Sequence, residues 1–129
     1  MHDADPMSEH TDAVEVVDNP DLWRFELRER GGVVGIASYV VVPGDGPGAP
    51  DRVVFFHTEV RADHEGQGLA GRLASFALDA TVASGRSIVA LCPYIKAYLQ
   101  RHPEPYAGHV LTPTPADVEA VERTARVSG

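Results

Sequence analysis

One stretch constrains this chain more than any other: residues 53–84, VVFFHTEVRADHEGQGLAGRLASFALDATVAS. It opens on Val53, Val54, Phe55 and Phe56, an apolar β-branched and aromatic run that continues to Val60, as a buried strand does. A polar bend leads to Gly66-Gln67-Gly68, and helical periodicity follows in Leu69, Leu73, Phe76, Ala77 and Ala80. A strand that feeds a glycine turn into a helix N-terminus makes an anion site. The first N–H groups of a helix lack internal partners, the macrodipole adds partial positive charge, and glycines let a phosphate approach the backbone. The Lys-Ser/Thr of a nucleotide-triphosphate loop is absent, and the Rossmann glycine pattern is incomplete.

The flanks of this stretch set the fold class. Residues 13–17 read as a strand closed by the turn cluster Asp18-Asn19-Pro20. Over 22–29, Trp23, Phe25 and Leu27 alternate with Arg24, Glu26 and Arg28, the period of a half-buried strand. Arg30-Gly31-Gly32 makes a hairpin turn. Residues 33–42 are apolar on both parities, as in a central strand covered on both faces. Residues 43–50, PGDGPGAP, form a loop, and 52–61 the next strand. After the helix, Gly85 is the expected stop, and 87–92, SIVALC, a short buried strand. A strand, helix and strand in such close succession form a crossover, so the two strands run parallel. Pro93 suits the first turn of a short helix to His102. Residues 115–126 read as a last helix with Val118, Val121 and Ala125 on one stripe. The expected class is α+β: an antiparallel meander, then a parallel crossover, in one mixed sheet.

The expected organisation is a disordered lead at 1–12, a domain at 13–110 and a helical C-terminal extension at 111–129. The lead is polar and lacks the apolar core of a signal peptide, no run is long enough to span a bilayer, and one cysteine forms no internal disulfide. A cytoplasmic location is expected. A net charge of −8 argues against nucleic acid and anionic membranes as main partners. The histidines show no metal-ligand spacing, and no metal is expected.

Two further residues stand out chemically. Cys92 ends a strand just before a helix N-terminus, a position that can make a thiol a better nucleophile; the alternative is a small buried hydrophobe. His57 shares strand parity with Phe55, Glu59 and Arg61. A neutral imidazole there suits a general base, the alternative being a structural histidine bonded to backbone. Glu59 is either a second candidate base or a solvated strand-end residue.

The segment Glu65-Gly66-Gln67-Gly68-Leu69-Ala70 resembles motif A of the GNAT acyl-CoA N-acyltransferase superfamily. His57-Thr58-Glu59-Val60, the glycine turn, and Leu91-Cys92-Pro93-Tyr94, Lys96-Ala97-Tyr98 and Arg101-His102-Pro103-Glu104 together resemble the minimal YjdJ-type N-acetyltransferase family. The resemblance covers about residues 14–110. It implies a GNAT-like sheet whose splayed parallel strands hold acetyl-CoA as cosubstrate. The pyrophosphate would lie on the backbone of Gly66, Gln67, Gly68, Leu69, Ala70 and Gly71, and the pantetheine along Glu59, Val60 and Arg61. The chain departs from the motif at Glu65, where Gln or Arg is usual; Arg61, His64 or Arg72 would compensate. The cysteine of this family lies near the CoA sulfur. Tyr94 would contact the cofactor, and Tyr98 would protonate the departing thiolate or pack against CoA, since Leu99 occupies the usual tyrosine position if Gln100-Arg101 aligns with the family's Glu-Lys pair. The function implied is acetyl transfer to an amine, either by direct attack with His57 or Glu59 as base or through Cys92. The alternative is a catalytically weak CoA or acyl-CoA sensor. With only a turn at Asp18–Asp21, the acceptor side is expected to be open, suiting an exposed protein lysine or a polyamine. A monomer or weak dimer is expected.

Overall fold

The computed structural model describes residues 14–64, 66 and 68–128. The expected disordered lead, Glu65 and Gln67 lie outside the described residues. The fold is one six-stranded sheet in the order β1-β2-β3-β4-β5-β6. Strands β1 (Val14–Asn19), β2 (Arg24–Glu29), β3 (Gly32–Val42) and β4 (Arg52–Val60) form the antiparallel meander. Strand β5 (Ser87–Ala90) then lies parallel to β4, as the crossover requires. A short strand not expected from the sequence, β6 (Val110–Leu111), runs parallel to β5 through Ile88↔Val110 and Val89↔Leu111. Two residues among prolines carry no periodicity to read.

Helices α1 (Leu69–Ala83) and α2 (Pro93–Arg101) cover one face of the sheet. Leu69, Leu73, Ala74, Ala77 and Leu78 of α1 and Ile95 of α2 are buried with Phe25, Leu27, Phe55 and Ile88. Gly85 follows the α1 cap with φ +78, the left-handed stop expected of it. Phe76, expected on the buried stripe, is exposed at its margin and meets Phe25 edge-on.

Helix α3 (Pro115–Ser128) covers part of the opposite face, where Ala120 and Val121 pack on Val40, Val54 and Val89. Its start is a capping box. Thr114 Oγ1 accepts from Asp117 N at 3.3 Å, Asp117 Oδ2 accepts from Thr114 N at 2.8 Å, and Pro115 takes the first helical position. Of the expected stripe, Val121 packs inward, Val118 is exposed, and the Ala125 side chain lies outside the described residues. Among the described residues of the helix Asp117 alone is fully buried, held by Arg52 at the start of β4.

The second strand starts at Arg24 and not at Leu22. Pro20–Leu22 is a 3-10 turn, and Trp23 closes it in the left-handed region at φ 55, exposed to solvent. Phe25 and Leu27 are buried as alternation predicts. Glu26 between them is buried too, at 1% exposure, on the other face of the sheet.

Candidate active site

The site is built where β4 and β5 part. Their ladder runs from Arg52↔Ser87 to Phe55↔Ala90 and stops. The backbone N–H groups of Leu91 and Cys92 both donate to the Phe55 carbonyl at 2.9 Å, closing the junction. Strand β4 continues to Val60, paired from there on only with β3 among the described residues. A bulge falls at the same place: Ser38 pairs with His57 and Tyr39 with Phe55, leaving Phe56 extra. An extra residue bends its strand. The result is a wedge bordered by backbone groups of residues 56–60, the geometry in which an extended ligand adds to a sheet.

The glycine turn follows the strand that borders the wedge. A 3-10 turn at Ala62–His64 leads to it, and Gly66 and Gly68 have φ of +82 and +73, which only glycine adopts without strain. Gly68 caps α1 with no side-chain hydrogen bond, so the N–H groups at Leu69, Ala70 and Gly71 open the helix without a capping side chain. A Cβ at Gly66, Gly68 or Gly71 would meet nothing within 4 Å. The glycines are there for backbone shape, and among the described residues nothing fills the space a Cβ would take beside them.

Cys92 sits at the mouth of the wedge, 3% exposed, with Pro93 starting α2 after it. Its thiol donates to Thr58 Oγ1 at 3.2 Å. His57 bonds Glu59 instead, Nε2 to Oε1 at 3.1 Å, and both side chains are exposed. Simple alternation put His57 on the face of Phe55. The bulge overturns that reading. Thr58 pairs with Ala37, a core residue on the α1 face, whereas His57 and Glu59 pair with Ser38 and Ile36 on the opposite face. Cys92 and His57 thus address the wedge from different faces of β4.

Tyr94 and Tyr98 are partly buried against the core under α2, their ring centroids 6.5 Å apart, and Tyr98 lies 4.5 Å from the His102 ring. The cations expected to offset Glu65 are engaged. Arg61, just past the end of β4, pairs with Asp63 at 3.0 Å, and Arg72 donates to the Val14 carbonyl at 3.1 Å. His64 bridges Glu29 at 2.7 Å and Asp63 at 2.8 Å. Those two carboxylates, Glu29 first, raise its pKa above the usual imidazole value. This clamp ties the approach to the glycine turn to the end of β2. A cavity of about 420 Å³ between α2 and β6, lined by Ala90, Leu99, Val110 and Leu111 among others, includes none of the residues expected in the site.

Sequence reading missed Thr58 and the Glu26 cluster. Thr58 is an ordinary strand threonine until Cys92 is beside it. Glu26 accepts from Arg24 Nε at 2.8 Å, Asn19 Nδ2 at 3.0 Å, and Arg28 Nε and Nη2 at 2.9 and 2.6 Å. Burial alone would raise its pKa; the hydrogen bonds from Arg24, Arg28 and Asn19 outweigh burial and hold it below the usual carboxylate value. The pattern Arg-x-Glu-x-Arg on a strand, three charges on one face, was the available signal. Among the described residues no helix is long and apolar enough to cross a membrane, and no group of three or more metal-ligating side chains occurs.

Comparison with known proteins bears on the same segment. Residues 24–109 match the family described as GCN5-related N-acetyl-transferase. Among solved structures, a transcriptional regulator from Bacillus halodurans C-125 superposes with a TM-score of 0.51 at 15% identity, over 61% of this chain and 57% of its own. A ribosomal-protein-alanine N-acetyltransferase from Brucella melitensis biovar Abortus 2308 gives 0.49 at 21% identity, over 64% and 59%. The chain thus spans less than two thirds of either neighbour. No curated protein matches.

Proposed function

The chain belongs to the GCN5-related N-acetyltransferase family, and we propose that it transfers the acetyl group of acetyl-CoA to an amine, with a protein lysine or a polyamine-like compound as the acceptor classes to test. The LCPY and RHPE segments support a place among the minimal YjdJ-type members. The observation that carries the reading is the wedge that opens past Phe55, on the strand whose far end leads through the glycine turn into an uncapped helix N-terminus. Backbone N–H groups of Leu69, Ala70 and Gly71 suit a pyrophosphate, and residues 56–60 suit the amide groups of a pantetheine.

Direct transfer is the better supported route. The exposed pair His57–Glu59 supports this route as the base that would take a proton from an ammonium. The free amine then attacks the thioester carbonyl, the C–S bond breaks, and the CoA thiolate accepts a proton, for which Tyr98 is the candidate donor. The Cys92 thiol is buried and bonded to a hydroxyl and not to an imidazole, which argues against its acting as an acyl carrier. Replacing Cys92 with Ala decides: retained turnover with no acetyl adduct on the wild-type protein by mass spectrometry supports direct attack, and loss of turnover with an adduct at Cys92 supports the covalent route. Calorimetry with CoA tests the wedge itself. Binding without amine-dependent thiol release would favour a sensor.

A further inference from the structure

The half of the sheet face that α3 leaves open carries a charge pattern that the transfer chemistry does not use. The register aligns two rows across β2, β3 and β4: Glu26–Ile36–Glu59 and Arg24–Ser38–His57. Directly paired residues share a face, so all six side chains belong to one surface. At the β4 end stands the His57–Glu59 pair, exposed. At the β2 end Arg24 and Arg28 lie over the buried Glu26, 28% and 36% exposed themselves. Glu26 neutralises one of the two guanidinium charges, leaving an excess positive charge. Glu15, across from Arg28 on β1, forms no ion pair with it among the described residues. Arg24 bonds Glu26 only through Nε, so its two terminal nitrogens still offer donors outward. The carboxylate of Glu26 thus acts as a fixed support that holds two planar cations flat against the sheet.

We propose that this surface binds the acceptor's carboxylate: the arginine pair on β2 receives it while the amine lies at His57 and Glu59 on β4. The two ends are two strand spacings apart, about 10 Å, and Ile36 between them gives an apolar floor. The acceptor class that fits is an aliphatic amine bearing a carboxylate several methylenes from the nitrogen, or a peptide that places a carboxylate at that distance from a lysine amine. Polyamines are disfavoured, because their second ammonium would meet the arginines. The placement of the amine rests on the acetyl-transfer reading; the carboxylate site does not.

The test compares 6-aminohexanoate, hexylamine and 1,6-diaminohexane as acceptors, by thiol release from acetyl-CoA and, separately, by NMR titration of the CoA-bound protein. The expected result is a kcat/KM and an affinity roughly tenfold to hundredfold higher for 6-aminohexanoate than for hexylamine, and lowest for the diamine. The preference disappears in Arg24→Gln and in the triple variant Arg24→Gln/Glu26→Gln/Arg28→Gln, which removes the whole charged cluster and leaves no buried charge unpaired. Equal or better binding and turnover of hexylamine by the wild type overturns the proposal without any variant. Carboxylate-dependent binding with no thiol release from any amine would leave this site standing and remove acetyl transfer instead.

Discussion

Two carboxylates are buried on the same face of this sheet, and they do different work. Asp117, at 0% exposure, accepts from Arg52 Nε and Nη2 at 2.9 and 2.6 Å and from the Thr114 backbone. Arg52 also donates to the Thr112 carbonyl and is itself nearly buried. That cluster is closed: its charges meet one another and fasten α3 to β4. Glu26 is as deeply buried, but its partners are two arginines at the surface. The same chemistry is a bolt in one place and a charged platform in the other. What separates them is the exposure of the cations and not the burial of the acid.

The largest test of this contrast is stability. Asp117→Ala leaves Arg52 buried without its counter-ion and is expected to cost about 3–5 kcal/mol in denaturant unfolding. Glu26→Ala frees arginines that water can reach and is expected to cost less, about 1–3 kcal/mol. Equal losses would break the comparison. Acid should sharpen it. Both carboxylates have folded pKa values below their usual ones: for each, burial opposes ionisation and hydrogen bonds outweigh it. Their contribution is therefore present above the unfolded carboxylate value near pH ~4 and is lost as pH falls through the folded values. Asp117→Asn and Glu26→Gln should each flatten the fall in stability below that pH.

Gly68→Ala touches neither cluster and is expected to cost about 1–2 kcal/mol, from the left-handed conformation alone. No described residue fills the space beside Gly68, which makes it informative in a second way: its Cβ would project where the pyrophosphate is proposed to lie, so CoA affinity by calorimetry should fall further than stability. The smallest effect belongs to His64, whose pH response has the opposite sign. Its folded pKa is raised by Glu29 and Asp63, so its contribution is complete below the usual imidazole value, about 6.5, and is lost as pH rises through the folded one. A melting temperature that declines slightly on the alkaline side, and no longer does so in His64→Gln, is the expected observation.

Much of this was legible in the sequence, for physical reasons that also mark where reading stops. Period-two alternation located β2, and the glycine turn between an apolar run and a 3.6-residue pattern located the start of α1, beside which the candidate site is read. The Thr114-x-x-Asp117 box with Pro115 was readable as a helix start; that Asp117 would also hold Arg52, 65 residues away, was not. The facing of His57 was lost to the bulge at Phe56, because a bulge is a property of two paired strands and β4 alone does not reveal it. The Glu26 cluster is the reverse case. Its partners are two positions away on the same strand, and only the expectation that charges face water concealed it.

The chain has a single tryptophan, and Trp23 stands at the surface in the β1–β2 turn with its ring 6.1 Å from Tyr39, nearly perpendicular. Its emission is therefore that of a solvated indole in the native state as well as the unfolded one. Emission wavelength should shift little on denaturation, whereas energy transfer from the buried Tyr39 depends on their proximity and ends when the turn opens. Excited at the tyrosine band, this protein carries its own gauge of whether the β1–β2 turn stays docked on β3.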